Sequence, residues 1–206
     1  MFRLALVIDE KPHTRMFKVN NYSQSGFTLV ELSVVLAISA IILAFAIPGT
    51  ANLMNHSGRH TALADLIATL NLARNTAINE QTTVTLCAIG NDSKCANDWS
   101  FPIVAFRDPS RTKQITDDSQ IVRILHSVET GRLVVRSGIH NYFRFQSSGW
   151  SRGTLGHFIW CPDSDDNQYA AQVRINMGGR PQMARDYDGD GVVEDASGDP
   201  ITCEGV

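Results

Sequence analysis

From Phe27 to Ile47 the chain reads FTLVELSVVLAISAIILAFAI, where only Thr28, Glu31, Ser33 and Ser39 are polar. A helix of that length rises roughly 30 Å, the thickness of a bilayer's hydrocarbon core. A soluble core helix this long carries a polar stripe, and this run has almost none. The pattern therefore predicts a transmembrane helix over 27–47. The period then changes: Leu63, Leu66, Ile67, Leu70, Ala73, Ala77 and Ile78 keep the i, i+3, i+4 spacing of an amphipathic helix. Asn52, Asn55, His56, Arg59 and Asp65 supply its polar side. This second segment, 48–80, is read as a continuation of the first, because Pro48 removes one backbone hydrogen bond and kinks a helix without ending it. From Thr82 the alternation is that of strands, at 82–89, 101–107, 121–128, 132–136, 142–146, 157–161 and 172–176, punctuated by Gly, Asn, Asp, Ser and Pro. No second long helix separates them, which favours antiparallel pairing over βαβ units. The predicted fold class is α+β, a long N-terminal helix packed on a β-rich head over 81–206.

Composition adds three constraints. Hydrophobic residues at 43% and charged residues at 19% of 206 are enough for a packed core and exclude wholesale disorder. A net charge of -3 excludes a chain that binds polyanions over its whole surface, leaving only local basic patches. Residues 1–26 carry four basic against two acidic residues, a net charge of +2 ahead of the apolar run. That asymmetry predicts a cytoplasmic N-terminus and an exported C-terminal portion. Cys87, Cys95, Cys161 and Cys203 all follow the apolar run, so all lie where disulfides persist. Four cysteines allow three pairings. The short loop favours Cys87–Cys95, leaving Cys161–Cys203 to pin the tail, with buried free thiols as the alternative.

Glu31 lies inside the apolar run, where a buried acid costs on the order of 2.5–3.5 kcal/mol and so needs a partner or a function. Its surroundings, Gly26-Phe27-Thr28-Leu29-Val30-Glu31, resemble the processing motif of type IV prepilins and type II secretion pseudopilins. The resemblance implies that a prepilin peptidase of the inner membrane cuts between Gly26 and Phe27. Phe27 is then N-methylated and the helix stays in the membrane. Glu31, fifth after the cut, pairs with the Phe27 ammonium of a neighbouring subunit during assembly. Residues 1–26 are the leader on this reading. Met16 offers a second start that shortens the leader to 11 residues and keeps Lys18.

The head resembles the GspH/FimT minor pilins and pseudopilins. The likeness rests on Val84-Thr85-Leu86-Cys87, Cys95, Trp99, Val104-Ala105-Phe106-Arg107-Asp108, Phe143-Arg144-Phe145, Gly149 and Gly179-Arg180. It implies a head of two antiparallel sheets packed against the C-terminal half of the helix.

The tail holds two candidate sites. Asp186, Asp188 and Asp190 alternate before Gly191, with Glu194 ninth in the count, as in short calcium loops. Ser197 stands where an EF-hand has its twelfth-position glutamate, so the loop is not an EF-hand. A structural calcium ion is the expected ligand, a solvated turn the alternative, and no cofactor is required. The second candidate is cationic. Beyond residue 120 the chain has eight arginines and no lysine, and arginine grips phosphate with two parallel hydrogen bonds. FimT-like minor pilins are associated with double-stranded DNA capture through a GRxR motif. Here Gly179-Arg180-Pro181-Gln182 keeps the first arginine, and Arg185 follows three residues after Gln182. Arg180 and Arg185 are the candidate DNA contacts, with surface or ion-pair arginines as the alternative, since eleven acidic residues share residues 121–206.

There is no G-x-S-x-G, Gly-rich phosphate loop or Cys-x-x-Cys, so an enzyme is not expected. The sequence reads as a single-pass inner-membrane minor pilin with a periplasmic head, joining other pilins in a helical filament. The alternative is a GspH-like minor pseudopilin of a type II secretion system.

Overall fold

The computed structural model describes residues 26–203 apart from 126, 127 and 129, and for 45–52 it describes the backbone alone. Residues 1–25 of the leader expected over 1–26, Met16 among them, lie outside the described residues, as do the side chains of 45–47 in the expected span and of Pro48. Among the described residues no helix is long and apolar enough to cross a membrane.

One helix, α1, runs Leu29–Asn79. Contacts divide the chain into two units, residues 1–44 and 45–206. In the first unit Thr28 opens the helix, its Oγ1 accepting a hydrogen bond from the Glu31 backbone N–H at 3.2 Å. Ser33 and Ser39 turn their hydroxyls back onto the carbonyls of Val30 and Val35, each at 2.8 Å. The polar side chains are thus satisfied by the helix itself, and the outer surface from Leu29 to Leu43 is apolar and exposed.

In the second unit the amphipathic stripe does what its spacing predicts. Leu63, Leu66, Leu70, Ala73 and Ala77 are all buried. They meet two four-stranded antiparallel sheets. The first is ordered β3-β2-β1-β5, from β1 (Val84–Ala88), β2 (Ile103–Arg107), β3 (Ile121–Ile124) and β5 (Phe143–Phe145). The second is ordered β4-β6-β7-β8, from β4 (Arg132–Arg136), β6 (Gly156–Cys161), β7 (Ala171–Ile175) and β8 (Pro181–Met183). Val84, Leu86, Phe143 and Phe145 of one sheet and Phe158, Trp160 and Val173 of the other close a single core with the helix. A second, smaller core lies on the far face of the second sheet. There Val193, Ile201 and Cys203 of the tail cover Ile159, Cys161 and Ala184.

The architecture is the expected α+β one. Each of the seven strand runs predicted from the sequence holds a strand: 132–136 matches residue for residue, four are shorter than expected, β6 begins one residue earlier and β7 is shifted back by one. The eighth strand, Pro181–Met183, carries no strand signal in its sequence, because Gly178-Gly179 and Pro181 signal a turn. Proline is tolerated there as the first residue of an edge strand, where no partner requires its missing N–H.

Candidate functional site

Four places carry the residues singled out above. At the N-terminal end, Phe27 and Leu29 are each 84% exposed, and Glu31 occupies the third position of α1. Thr28-Leu29-Val30-Glu31 is a capping-box pattern, and its Thr28 half is formed. A carboxylate in the first turn also faces the positive end of the helix dipole. The local sequence therefore fixes where Glu31 projects, within one turn of the Gly26–Phe27 peptide.

The acidic loop is gathered as its spacing implies. Ligand oxygens of Asp186, Asp188, Asp190 and Glu194 lie within 4.8 Å of one another. Asp186 Oδ1 accepts from Gly189 N–H at 2.6 Å and Oδ2 from Gly191 N–H at 3.0 Å. Asp188 and Asp190 each accept from the N–H two residues on, at 3.1 and 2.7 Å. The three aspartates are exposed, whereas Glu194 is buried and accepts from Tyr187 N–H at 2.7 Å. The donor set suits a hard divalent cation: four carboxylates supply oxygen only.

The cationic candidates separate. Arg180 is exposed at the entry to β8, its backbone N–H donating to Asn176 Oδ1 at 3.1 Å. Arg185 is exposed past the other end of β8, its backbone carbonyl accepting from the Glu194 N–H at the mouth of the acidic loop at 3.2 Å. Gly179 has a structural task. Its φ is +70°, and a Cβ there would overlap the carbonyl oxygen of Gly149, itself at φ +78°. Arg74 of α1 locks this meeting of two turns, its Nε donating to the Gly149 carbonyl at 3.1 Å and the Gly178 carbonyl at 3.4 Å.

The Phe106-Arg107-Asp108 and Phe143-Arg144-Phe145 motifs also resolve into contacts. Asp108 is 1% exposed and accepts from Thr85 Oγ1 at 2.9 Å, Thr112 N–H at 2.7 Å and Lys113 N–H at 3.1 Å. Arg144 Nη2 lies 3.7 Å from it, and the same guanidinium sits 4.5 Å from the centre of the Tyr142 ring. Arg107 binds Glu80, just past the end of α1, through two hydrogen bonds of 2.5 and 2.6 Å. Those bonds hold the Glu80 carboxyl below the usual carboxylate range and raise the Arg107 guanidinium. The cysteines pair as Cys87–Cys95 and Cys161–Cys203. The first closes the loop after β1. The second joins β6 to the tail.

The profile of the family described as Type II transport protein GspH matches residues 62–179, more than half of the chain. The chain belongs to the GspH family. The prokaryotic N-terminal methylation motif matches residues 21–47, which includes Gly26, Phe27 and Glu31. The chain is accordingly a pilin-type subunit of the minor pilin and pseudopilin class, a family of structural subunits. Among solved structures it is similar to the type IV minor pilin FimU of Pseudomonas aeruginosa, in two crystal forms. One shares 16% identity over 73% of this chain and 98% of that one, with a TM-score of 0.49. The other shares 18% over 70% and 98%, with a TM-score of 0.46. No curated protein matches the chain significantly. The matched GspH region contains the Asp108 hub, the Cys87–Cys95 loop and the Gly149–Gly179 contact. It ends before the acidic loop, which is outside the family's matched core.

Proposed function

We propose that this chain is a minor pilin that helps to prime a type IV pilus by subunit–subunit packing, with its head on the periplasmic side of the inner membrane. The observation that carries the reading is the N-terminal end. An exposed apolar helix starts at Leu29, two residues past a Gly26–Phe27 bond that lies inside a methylation motif, and Glu31 sits in its first turn. A prepilin peptidase cuts between Gly26 and Phe27, Phe27 is N-methylated, and the new ammonium of one subunit meets the Glu31 carboxylate of its neighbour. At low dielectric an unpaired charge is costly, so the pair sets the axial register between subunits. The apolar face then packs against other pilins in the filament.

A second reading follows from the matched family, whose description is that of type II transport. In it the same precursor chemistry builds a minor pseudopilin of a secretion system. DNA capture by the head remains a finer proposal within the pilus reading. Arg180 supports it better than Arg185, because Arg185 neighbours the carboxylates of the acidic loop. The acidic loop we assign as a calcium-holding turn that stiffens the tail.

Intact-mass analysis of the membrane form tests the processing step, and it should find methylated Phe27 as the N-terminus. An uncleaved chain sinks both filament readings. A clean deletion scored for surface pili and secreted protein side by side separates them. Loss of pili with secretion intact supports the pilus, and the reverse assigns the chain to the secretion system. Substitution of Glu31 by Gln should leave cleavage intact and remove the subunit from the filament.

A further inference from the structure

The pairing of the second sheet lines up a row that the sequence does not reveal. Arg136 is opposite His157, His157 opposite Arg174, and Arg174 opposite Gln182. Their neighbours Phe158 and Val173 point into the main core, so alternation puts this row on the outer face. The adjacent outer row, Val134, Ile159 and Gln172, is roofed by the tail. The Arg136–His157–Arg174 row lies at the rim of that roof. There Arg136, His157, Gln172, Asp195, Ile201 and Thr202 line a small cleft of 160 Å³, and Arg174 lines, with Gln182, an adjoining hollow that shares His157.

Two buried polar atoms at this rim have no hydrogen-bond partner among the described residues, Arg174 Nε and Gln172 Oε1. Gln172 is 4% exposed. Arg136 is exposed and engaged in a further interaction, so Arg174 carries the argument. A guanidinium N–H left without an acceptor, a second guanidinium two strands away and an imidazole between them form a set of donors. Such a set matches the several acceptor oxygens of a tetrahedral anion. The Gln172 amide, turned about its last bond, adds an N–H2 donor in place of its unpaired oxygen. Asp195 opposes an anion here and already interacts with the Arg174 charge, while its Oδ1 accepts from the Ser197 and Asp199 backbone N–H groups.

We propose that the rim formed by Arg174, His157 and Arg136 is a binding site for the phosphate or sulfate group of a ligand, with Arg174 as its anchor. The site is distinct from Arg180 and Arg185 and does not depend on which filament the subunit serves. Its occupancy depends on pH. Burial first, then Arg136 and Arg174, lower the proton affinity of His157, while Asp195 raises it. Gln182 and Thr202 face the row without charge. A seated anion favours protonated His157, so binding strengthens as pH falls.

The test uses the full chain in neutral detergent and follows the C2 proton of His157 by NMR across pH, assigned with H157Q. The probe is sodium sulfate, which stays a dianion throughout, against sodium chloride at equal ionic strength. Sulfate should raise the His157 midpoint by about one pH unit, a tenfold preference for the protonated form, and R174Q should lose the rise. D195N keeps the row and removes the opposing charge, so it should bind sulfate more tightly. No rise over chloride, a rise undiminished in folded R174Q, or unchanged affinity in D195N overturns the proposal. Dimethyl phosphate distinguishes the source: a rise with it as well as with sulfate marks a phosphodiester, and a rise with sulfate alone a terminal phosphate or sulfate group.

Discussion

The tail from Ala184 to Cys203 is short of regular structure, and the Cys161–Cys203 disulfide is what should hold it to the second sheet. The two disulfides enclose loops of very different length, with sequence separations of 42 and 8. In the chain-entropy model the longer restricts the unfolded chain by about 4 kcal/mol and the shorter by about 2.5 kcal/mol. For a chain of this size each kcal/mol moves the melting temperature by roughly 2–4 °C. C161A/C203A should therefore lower it by about 8–16 °C and C87A/C95A by about 5–10 °C. The packing points the same way. Cys161 and Cys203 are both buried with Val193 and Ile201 in the smaller core, whereas Cys95 is half-exposed. The assay is thermal unfolding by circular dichroism, with hydrogen exchange at the Glu194 and Ile201 amides, which donate to the Arg185 and Val193 carbonyls, as the local readout. Those amides should exchange by local opening in C161A/C203A and by global unfolding in the parent chain. The reasoning fails if C161A/C203A melts closer to the parent than C87A/C95A does, or if the tail amides keep their protection.

G179A should cost about 3 kcal/mol in urea unfolding, combining a positive-φ penalty with overlap on the Gly149 carbonyl, while R180A at an exposed position should change stability by less than about 0.5 kcal/mol. D108A removes a buried carboxylate that holds Thr85, Thr112 and Lys113 and faces Arg144, and should cost about 3–5 kcal/mol. An R144M/D108A double-mutant cycle checks that coupling. Because the proton affinity of His157 is lowered in the folded chain, the unfolded chain takes the proton first as pH falls. Its contribution is thus complete above the ordinary histidine pKa of about 6.5 and declines below it, and H157Q should flatten that part of a stability–pH profile. Calcium at about a hundred times its Kd should add about 2.7 kcal/mol to stability. D188A should abolish that gain, and calcium without effect on the parent chain removes the loop as a cation site.

Much of this architecture is visible in local pattern. The stripe Leu63, Leu66, Leu70, Ala73, Ala77 needs only the helical period, and the core strands need only short apolar runs between turn residues. The acidic loop is legible because its chemistry is packed into nine successive residues. What escapes the sequence is set by partners far along the chain. Phe106-Arg107-Asp108 and Phe143-Arg144-Phe145 are recognisable as motifs, but the cause is Asp108 meeting Thr85 and Arg144 across strands. Gly179 resembles the start of a phosphate-binding motif, yet its geometry is dictated by the Gly149 carbonyl and Arg74. Val193 and Ile201 are isolated apolar residues in an Asp- and Gly-rich stretch. Nothing local says that they roof a sheet.

The outer face of the second sheet shows why register decides function as well as fold. One residue of slip between β6 and β7 would turn His157 inward and Phe158 outward. The buried Phe158 and Trp160 exclude that slip, because each needs the main core. The same constraint that packs the core therefore places Arg174 beside His157. The tail, anchored at Cys203, then determines how much of that cationic row solvent reaches. If the tail is released, as in C161A/C203A, the rim loses its wall at Asp195 and Ile201. The proton affinity of His157 should then rise, because burial is the first cause of its depression, although Arg136 and Arg174 still lower it and the opposing Asp195 is lost with the tail. A His157 titration unchanged by that release would mean that the arginines alone set it and that the tail plays no part in the site.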